Sequence, residues 1–362
     1  MPAPVPLSVL ATVDPVLRDA VVMNVLLDAP GTVAVRHDIV ETENGGGIRR
    51  LVMTADGIVE DVVVPLEHPC TSCAVREDAV PTLRRLAAQG SAAVLLALPV
   101  SAESLPAART LAAETRGGRL ARLRLAAVVA AVDGAGFEED LLGDALLAER
   151  DLALTDDDRR AVGEALAAQL GHADVVVVAG DVPPVASDLV DHVRAADSER
   201  VDGLDRLDVG ALLAHRHDPL AGERRTDPRR AAPARTPGDN GVWTLDLHSD
   251  RPFHPERLLD RIEDLGAGPV RGRGVFWVPT RPDSVCVWDG SGGQLSIGGM
   301  GEWGRHVPRT RLVITGTGDQ QELLREAFED ALVTEDEWRV GLAPWLGSAD
   351  VLAPWLGDRH PA

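Results

Sequence analysis

A chain of 362 residues is too long for one compact core, which predicts two domains. The net charge of −21 excludes unaided binding to nucleic acid or to an anionic membrane, because both are polyanions. All 36 basic residues are arginines, so no Schiff-base lysine, lysine general base or lysine phosphate clamp exists in the chain.

Three cysteines, two of them in one C-x-x-C pair, do not make a secreted disulfide framework. Met1-Pro2-Ala3-Pro4 lacks a basic leader, and no apolar run reaches membrane-spanning length. A cytoplasmic chain is expected.

Residues 5–12 read as a first strand. Asp14-Pro15 opens a helix to residue 27, with Asp at the cap and Pro at the first helical position. Residues 31–40 read as a second strand, followed by a hairpin of residues 48–54 and 57–66. The stretch Glu67-His68-Pro69-Cys70-Thr71-Ser72-Cys73 then leads into a helix marked by Val75, Ala79, Leu83 and Leu86 and ending at Gln89.

Strands at 92–98, 123–133 and 173–179 alternate with helices at 103–114, 159–170 and 187–196. Val175-Val176-Val177-Val178 is apolar on consecutive residues, which predicts burial of both faces in a parallel sheet. Residues 1–210 are therefore expected to form an α/β domain with a mostly parallel sheet flanked by helices.

Residues 211–240 read as a flexible linker rich in Arg and Pro, with His215 and His217 near its start. From residue 241 to 362, strands outnumber helices and turns are short, which predicts a small α+β domain. All seven tryptophans lie there and are expected to pack its core; Cys286 sits mid-strand, also as core. The sequence Ala-Pro-Trp-Leu-Gly occurs twice in the tail, at 343–347 and 353–357.

The cysteine pair carries the chemistry. Thiolates on a loop at a helix N-terminus suit metal binding or thiol redox exchange, and both stay open beside a third reading of two idle thiols. Two thiolates make half a tetrahedral zinc site, with His68 and Glu67 adjacent and His37 a remoter donor.

Cys70-Thr71-Ser72-Cys73-Ala74-Val75-Arg76-Glu77-Asp78 resembles the G-C-x-C-C-x-x-R-x-D motif of the CobW family of P-loop GTPases. Cys70 and Cys73 match its first and third cysteines; Ser72 replaces the second and Pro69 the glycine. Residues 251–258 (Arg-Pro-Phe-His-Pro-Glu-Arg-Leu), 274–282 and Gly301-Glu302-Trp303 resemble the family's C-terminal domain. Ala131-Val132-Asp133 with Phe137 resembles part of its GTPase domain, and His254 falls in the C-terminal signature, where a structural role is expected.

The resemblance implies a P-loop-GTPase-like fold, GTP hydrolysis with Mg²⁺, and delivery of a metal ion, often zinc, to client proteins. The nucleotide positions depart from it. Where the phosphate loop would fall stand Val13, Asp14 and Pro15, with Asp19 in place of the lysine and no glycine. Asp14 would occupy the amides that a phosphate needs, and a carboxylate beside a triphosphate costs several kcal/mol, an order-of-magnitude Coulomb figure. The expectation is a pseudo-GTPase in zinc homeostasis, binding metal or a client protein. The alternatives are a GTPase with an unorthodox site and a non-catalytic interaction module.

Overall fold

The computed structural model describes residues 3–42, 45–68, 70–233, 239–345 and 347–357. The chain divides into two units. The first runs up to residue 226 apart from 138–144 and 188–193, which group with residues 227 onward in the second.

The first unit is built on β1 (Val5–Ala11), β2 (Thr32–Thr42), β3 (Gly45–Thr54), β4 (Gly57–Pro65), β5 (Ala93–Ala97), β6 (Leu123–Asp133), β7 (Val175–Ala179) and β8 (Glu199–Asp202). They form one eight-stranded sheet in the order β4-β3-β2-β5-β1-β6-β7-β8. From β2 to β8 the pairings are parallel, while β2-β3 and β3-β4 are antiparallel. This is the mostly parallel α/β sheet expected from the consecutive apolar runs.

Helices cover both faces. On one side α1 (Pro15–Asp28) packs Val21, Val22 and Val25 against Leu10, Leu95, Val129 and Val177. On the other, Val75 and Leu83 of α2 (residues 71–89) and Leu111 of α3 (Ser104–Thr115) pack against Leu7, Val9, Val94 and Leu96. Strand β5 shows the reason: Val94 and Leu96 enter one core, Leu95 and Ala97 the other, so neither face can be polar.

The segment expected as a flexible linker holds helical structure. Helix α4 (Val162–His172) precedes β7, and α5 (Val209–Ala214) and α6 (Pro219–Thr226) follow β8. His217 is buried, its Nδ1 lying 2.8 Å from Asp174 Oδ2, and Arg225 reaches Asp174 at 2.7 Å. One of the arginines that suggested a solvated segment, Arg225, is held by this buried acid. Residues 234–238 lie outside the described set.

The second unit holds β9 (Trp243–Ser249), β10 (Val270–Val278), β11 (Arg281–Ser291), β12 (Gln294–Glu302) and β13 (Thr310–Gly316) in an antiparallel sheet ordered β12-β11-β10-β13-β9. Helices α7 (Pro255–Gly266) and α8 (Gln321–Ala331) supply Leu258, Leu265, Leu324 and Phe328 to a core with Phe253, Phe276 and Trp288. Trp277, Trp288 and Trp303 are buried, whereas Trp338 and Trp355 are half exposed. Residues 350–357 are fastened to the sheet. Arg281 pairs with Asp350 and donates to the Leu356 and Gly357 carbonyls, and Leu352 is fully buried.

Candidate metal centre

The two thiols lie where the edge of the sheet turns into α2. Cys70 is extended and exposed, and its Sγ accepts from the Cys73 amide at 3.4 Å as the N-cap of the helix. Cys73 is 7% exposed, and Arg76 Nη2 approaches its sulfur at 3.4 Å. Burial first, then the neighbouring Cys70 sulfur, push the Cys73 thiol above its ordinary range, and Arg76 pulls the other way. A thiol held protonated is a poor redox nucleophile at neutral pH, but a metal ion can displace its proton.

The first two turns of α2 are not regular. Thr71–Cys73 is α-helical, Ala74–Ala79 is π-helical, and Val80–Gln89 is α-helical again. The Val80 amide donates to Val75, five residues back. Pro81 explains this. It lacks an amide hydrogen and its ring would strike the preceding carbonyl turn of a straight helix, so the backbone widens just ahead of it.

The widened turn carries Asp78 inward. Its Oδ2 lies 2.8 Å from His37 Nε2, and Arg50 pairs with Oδ1. Arg50 also reaches Glu60 at 3.4 Å, and Arg85 reaches the same carboxylate at 2.6 Å. His37 is fully buried and bonded to Asp78, which corrects its standing as a remote donor to the thiols. Glu67 and His68 are exposed; Pro69 lies outside the described residues. Among the described residues no three His, Cys, Asp or Glu side chains gather closely enough to hold a metal ion. The structure thus brings together Cys70 and Cys73 but not Glu67, His68 or His37 with them.

At the C-terminal ends of β1 and β5 the residues read as a lost phosphate loop are occupied internally. Asp14 Oδ1 accepts from the Val16 amide at 2.7 Å and the Leu17 amide at 3.0 Å. Pro15 takes the first helical position, and Val13 is buried. Asp19 pairs with Arg36 at 2.9 Å. Sequence reasoning missed Arg18, which is buried, pairs with Asp38 at 2.7 Å and donates to the carbonyls of His37 and Leu98. Its neighbours arrive from β2 and from beyond β5, so spacing along the chain carried no signal for it. Asp133, at the end of β6, accepts from the Gly136 amide at 3.1 Å as a local cap.

Elsewhere, the Cys286 thiol is pushed up to about 12 by burial, as a core residue should be. The His254 ring stacks edge-on against Trp345 at 6.1 Å, while its backbone amide donates to Ala331.

The fold and the site define an α/β protein with a two-thiol helix start, followed by an antiparallel domain. Residues 242–332 match the cobalamin synthesis protein cobW C-terminal domain. A Mycobacterium tuberculosis protein named zinc chaperone Rv0106 is 28% identical over 298 residues, spanning 78% of this chain and 70% of that one. Zinc-regulated GTPase metalloprotein activator 1 of Dictyostelium discoideum is 23% identical over 263 residues, covering 67% of this chain and 55% of that protein. The crystal structure of Zn(II)-bound YjiA GTPase from E. coli aligns over 91% of this chain and 99% of its own, at 15% identity and a TM-score of 0.37.

Proposed function

We propose that this chain is a zinc-handling protein that carries the ion as cargo on Cys70 and Cys73 and passes it to a client protein, without turning over GTP. The observation that carries the metal reading is the pairing of one exposed and one buried thiol at a helix start beside Arg76. Two thiolates fill half of a tetrahedral zinc shell. Water, a client's own donors, or His68 and Glu67 after a rearrangement of the loop would complete it, and an incomplete shell favours release. The similarity to proteins named a zinc chaperone and a zinc-regulated GTPase metalloprotein activator supports the metal reading.

The loss of nucleotide chemistry rests on Asp14. Its carboxylate already takes amides at the α1 N-terminus, and Pro15 offers no donor. Neither GTP nor Mg²⁺ is part of the proposed cycle.

Equilibrium dialysis against zinc tests the first claim. The Cys70→Ser, Cys73→Ser double variant should lose at least about 100-fold in affinity, the upper end of what even a supporting residue costs. Equal binding by wild type and double variant would end the metal reading. For the second claim, millimolar GTP should neither bind nor turn over above a boiled control, and measurable turnover would restore the GTPase reading.

A further inference from the structure

We propose that strand β4 is the docking rail for the client. Its free edge would accept an extended client segment, alternately apolar and basic, as a ninth strand that ends near the segment carrying Cys70. The proposal rests on the zinc-delivery reading above and names the chemistry of its partner.

Among the described residues β4 is the terminal strand of the sheet and is paired with β3 alone. It is long, at nine residues, and its apolar side chains are uncovered: Ile58 is 61% exposed, Val59 59%, Val63 49% and Val62 41%. Edge strands in soluble proteins are usually blunted by outward charges, because unpaired backbone groups invite another chain. Here the two acids on the strand are tied inward, Glu60 by Arg85 of α2 at 2.6 Å and Asp61 by Arg49 of β3 at 2.6 Å.

The register shows which backbone groups face out. The Leu66 amide donates to Gly46, and pairs along an antiparallel ladder alternate between bonded and non-bonded. Counting back through Ile48↔Val64 and Arg50↔Val62 puts the amides of Asp61 and Val63 on the outer edge. Pro65 falls at the next outward position, where a missing donor costs the ladder nothing.

Charge selects the occupant. Exposed Asp56 stands at one end of the strand and exposed Glu67 at the other, in a chain of net charge −21. A second copy would bring the same charge and be repelled, whereas a segment with basic residues around apolar ones is attracted. Main-chain bonds along an edge supply affinity, and alternate side chains supply specificity. β4 ends at Pro65, shortly before Cys70 in the chain, so a docked strand would end near the segment that carries the exposed thiol.

The test uses the full chain and a synthetic nine-residue peptide alternating valine with arginine or threonine. Hydrogen exchange read by mass spectrometry should show new protection over residues 57–65 when the peptide is added. Val63→Pro removes one outward amide and leaves the β3 ladder intact, so it should weaken peptide binding about tenfold, as loss of one to two main-chain bonds implies. A glutamate-for-arginine peptide should bind more weakly than the cationic one. Equal binding by Val63→Pro, protection located elsewhere, or Val63-dependent dimerisation in sedimentation would overturn the proposal. Zinc dialysis is run on the same variant. Val63→Pro that keeps zinc but loses the peptide supports the rail, and protection of β4 by the peptide in a chain that binds no zinc would sink the metal reading alone.

Discussion

Asp14 does at the α1 N-terminus what a bound phosphate would do, accepting hydrogen bonds from Val16 and Leu17 with a fixed negative charge. Asp14→Ala should cost about 1 kcal/mol of stability, the ordinary value of a lost cap, measured by urea denaturation. It should not create phosphate affinity, because the glycines that would converge further amides are absent; calorimetric titration with inorganic phosphate checks this. The cap was legible in the sequence because Asp-Pro is a local signal. Arg18 was not, because its meaning lies in Asp38 and in two carbonyls that only the folded sheet brings near. At the thiols, zinc must displace a proton that burial holds on Cys73, so affinity should rise with pH across the neutral to alkaline range in a competition assay.

Among the elements, α2 joins sequence, geometry and proposed function most closely. Its existence was readable from the spacing of Val75, Ala79, Leu83 and Leu86, all of which are buried. Its π turn was not, since hydrophobic spacing reports a face and says little about local winding. Pro81→Ala should let the turn relax toward a regular helix and restore one backbone bond, worth about 1 kcal/mol. The same change would rotate Asp78 and Cys73 relative to one another. The expected outcome is a protein no less stable in thermal melts that binds zinc more weakly; unchanged zinc affinity would show that the π turn does not set the thiol geometry. The helices α5 and α6 were missed for the opposite reason. The arginines and prolines that follow α5 read as solvent-facing, while the acid that holds Arg225 and His217 sits at 174, far back in the chain.

At the scale of the molecule, the same buried cluster sets how stability responds to acid. Burial and the neighbouring His217 press the His172 ring down to about 3 from its ordinary 6.5, while its Nδ1 lies 2.7 Å from Ser104 Oγ. Burial alone would raise Asp174, but His217 and Arg225 outweigh it and hold the carboxyl at about 2, below 3.8. Both groups are lowered on folding, so the stability they confer is complete above their unfolded values and is lost as pH falls. Below about pH 6.5 the unfolded chain gains the His172 proton and the folded chain does not, a slope of up to about 1.4 kcal/mol per pH unit. Asp174 adds its loss only between about 3.8 and 2. Denaturation midpoints should therefore fall from pH 7 to pH 5, and His172→Gln should flatten that dependence.

The central strand of the sheet also fixes a timetable. β1 is synthesised before both of its neighbours, β5 and β6, with Leu7 set against Val94 and Leu125. Until about residue 133 has been made, the apolar strand and the inner face of α1 have no sheet to join, so the first third of the chain waits for the second. A fragment ending at residue 90 should stay unfolded by circular dichroism and hydrogen exchange even though it contains the whole cysteine loop. The thiols would thus become a metal site late, once the strands on both sides of β1 had closed around it.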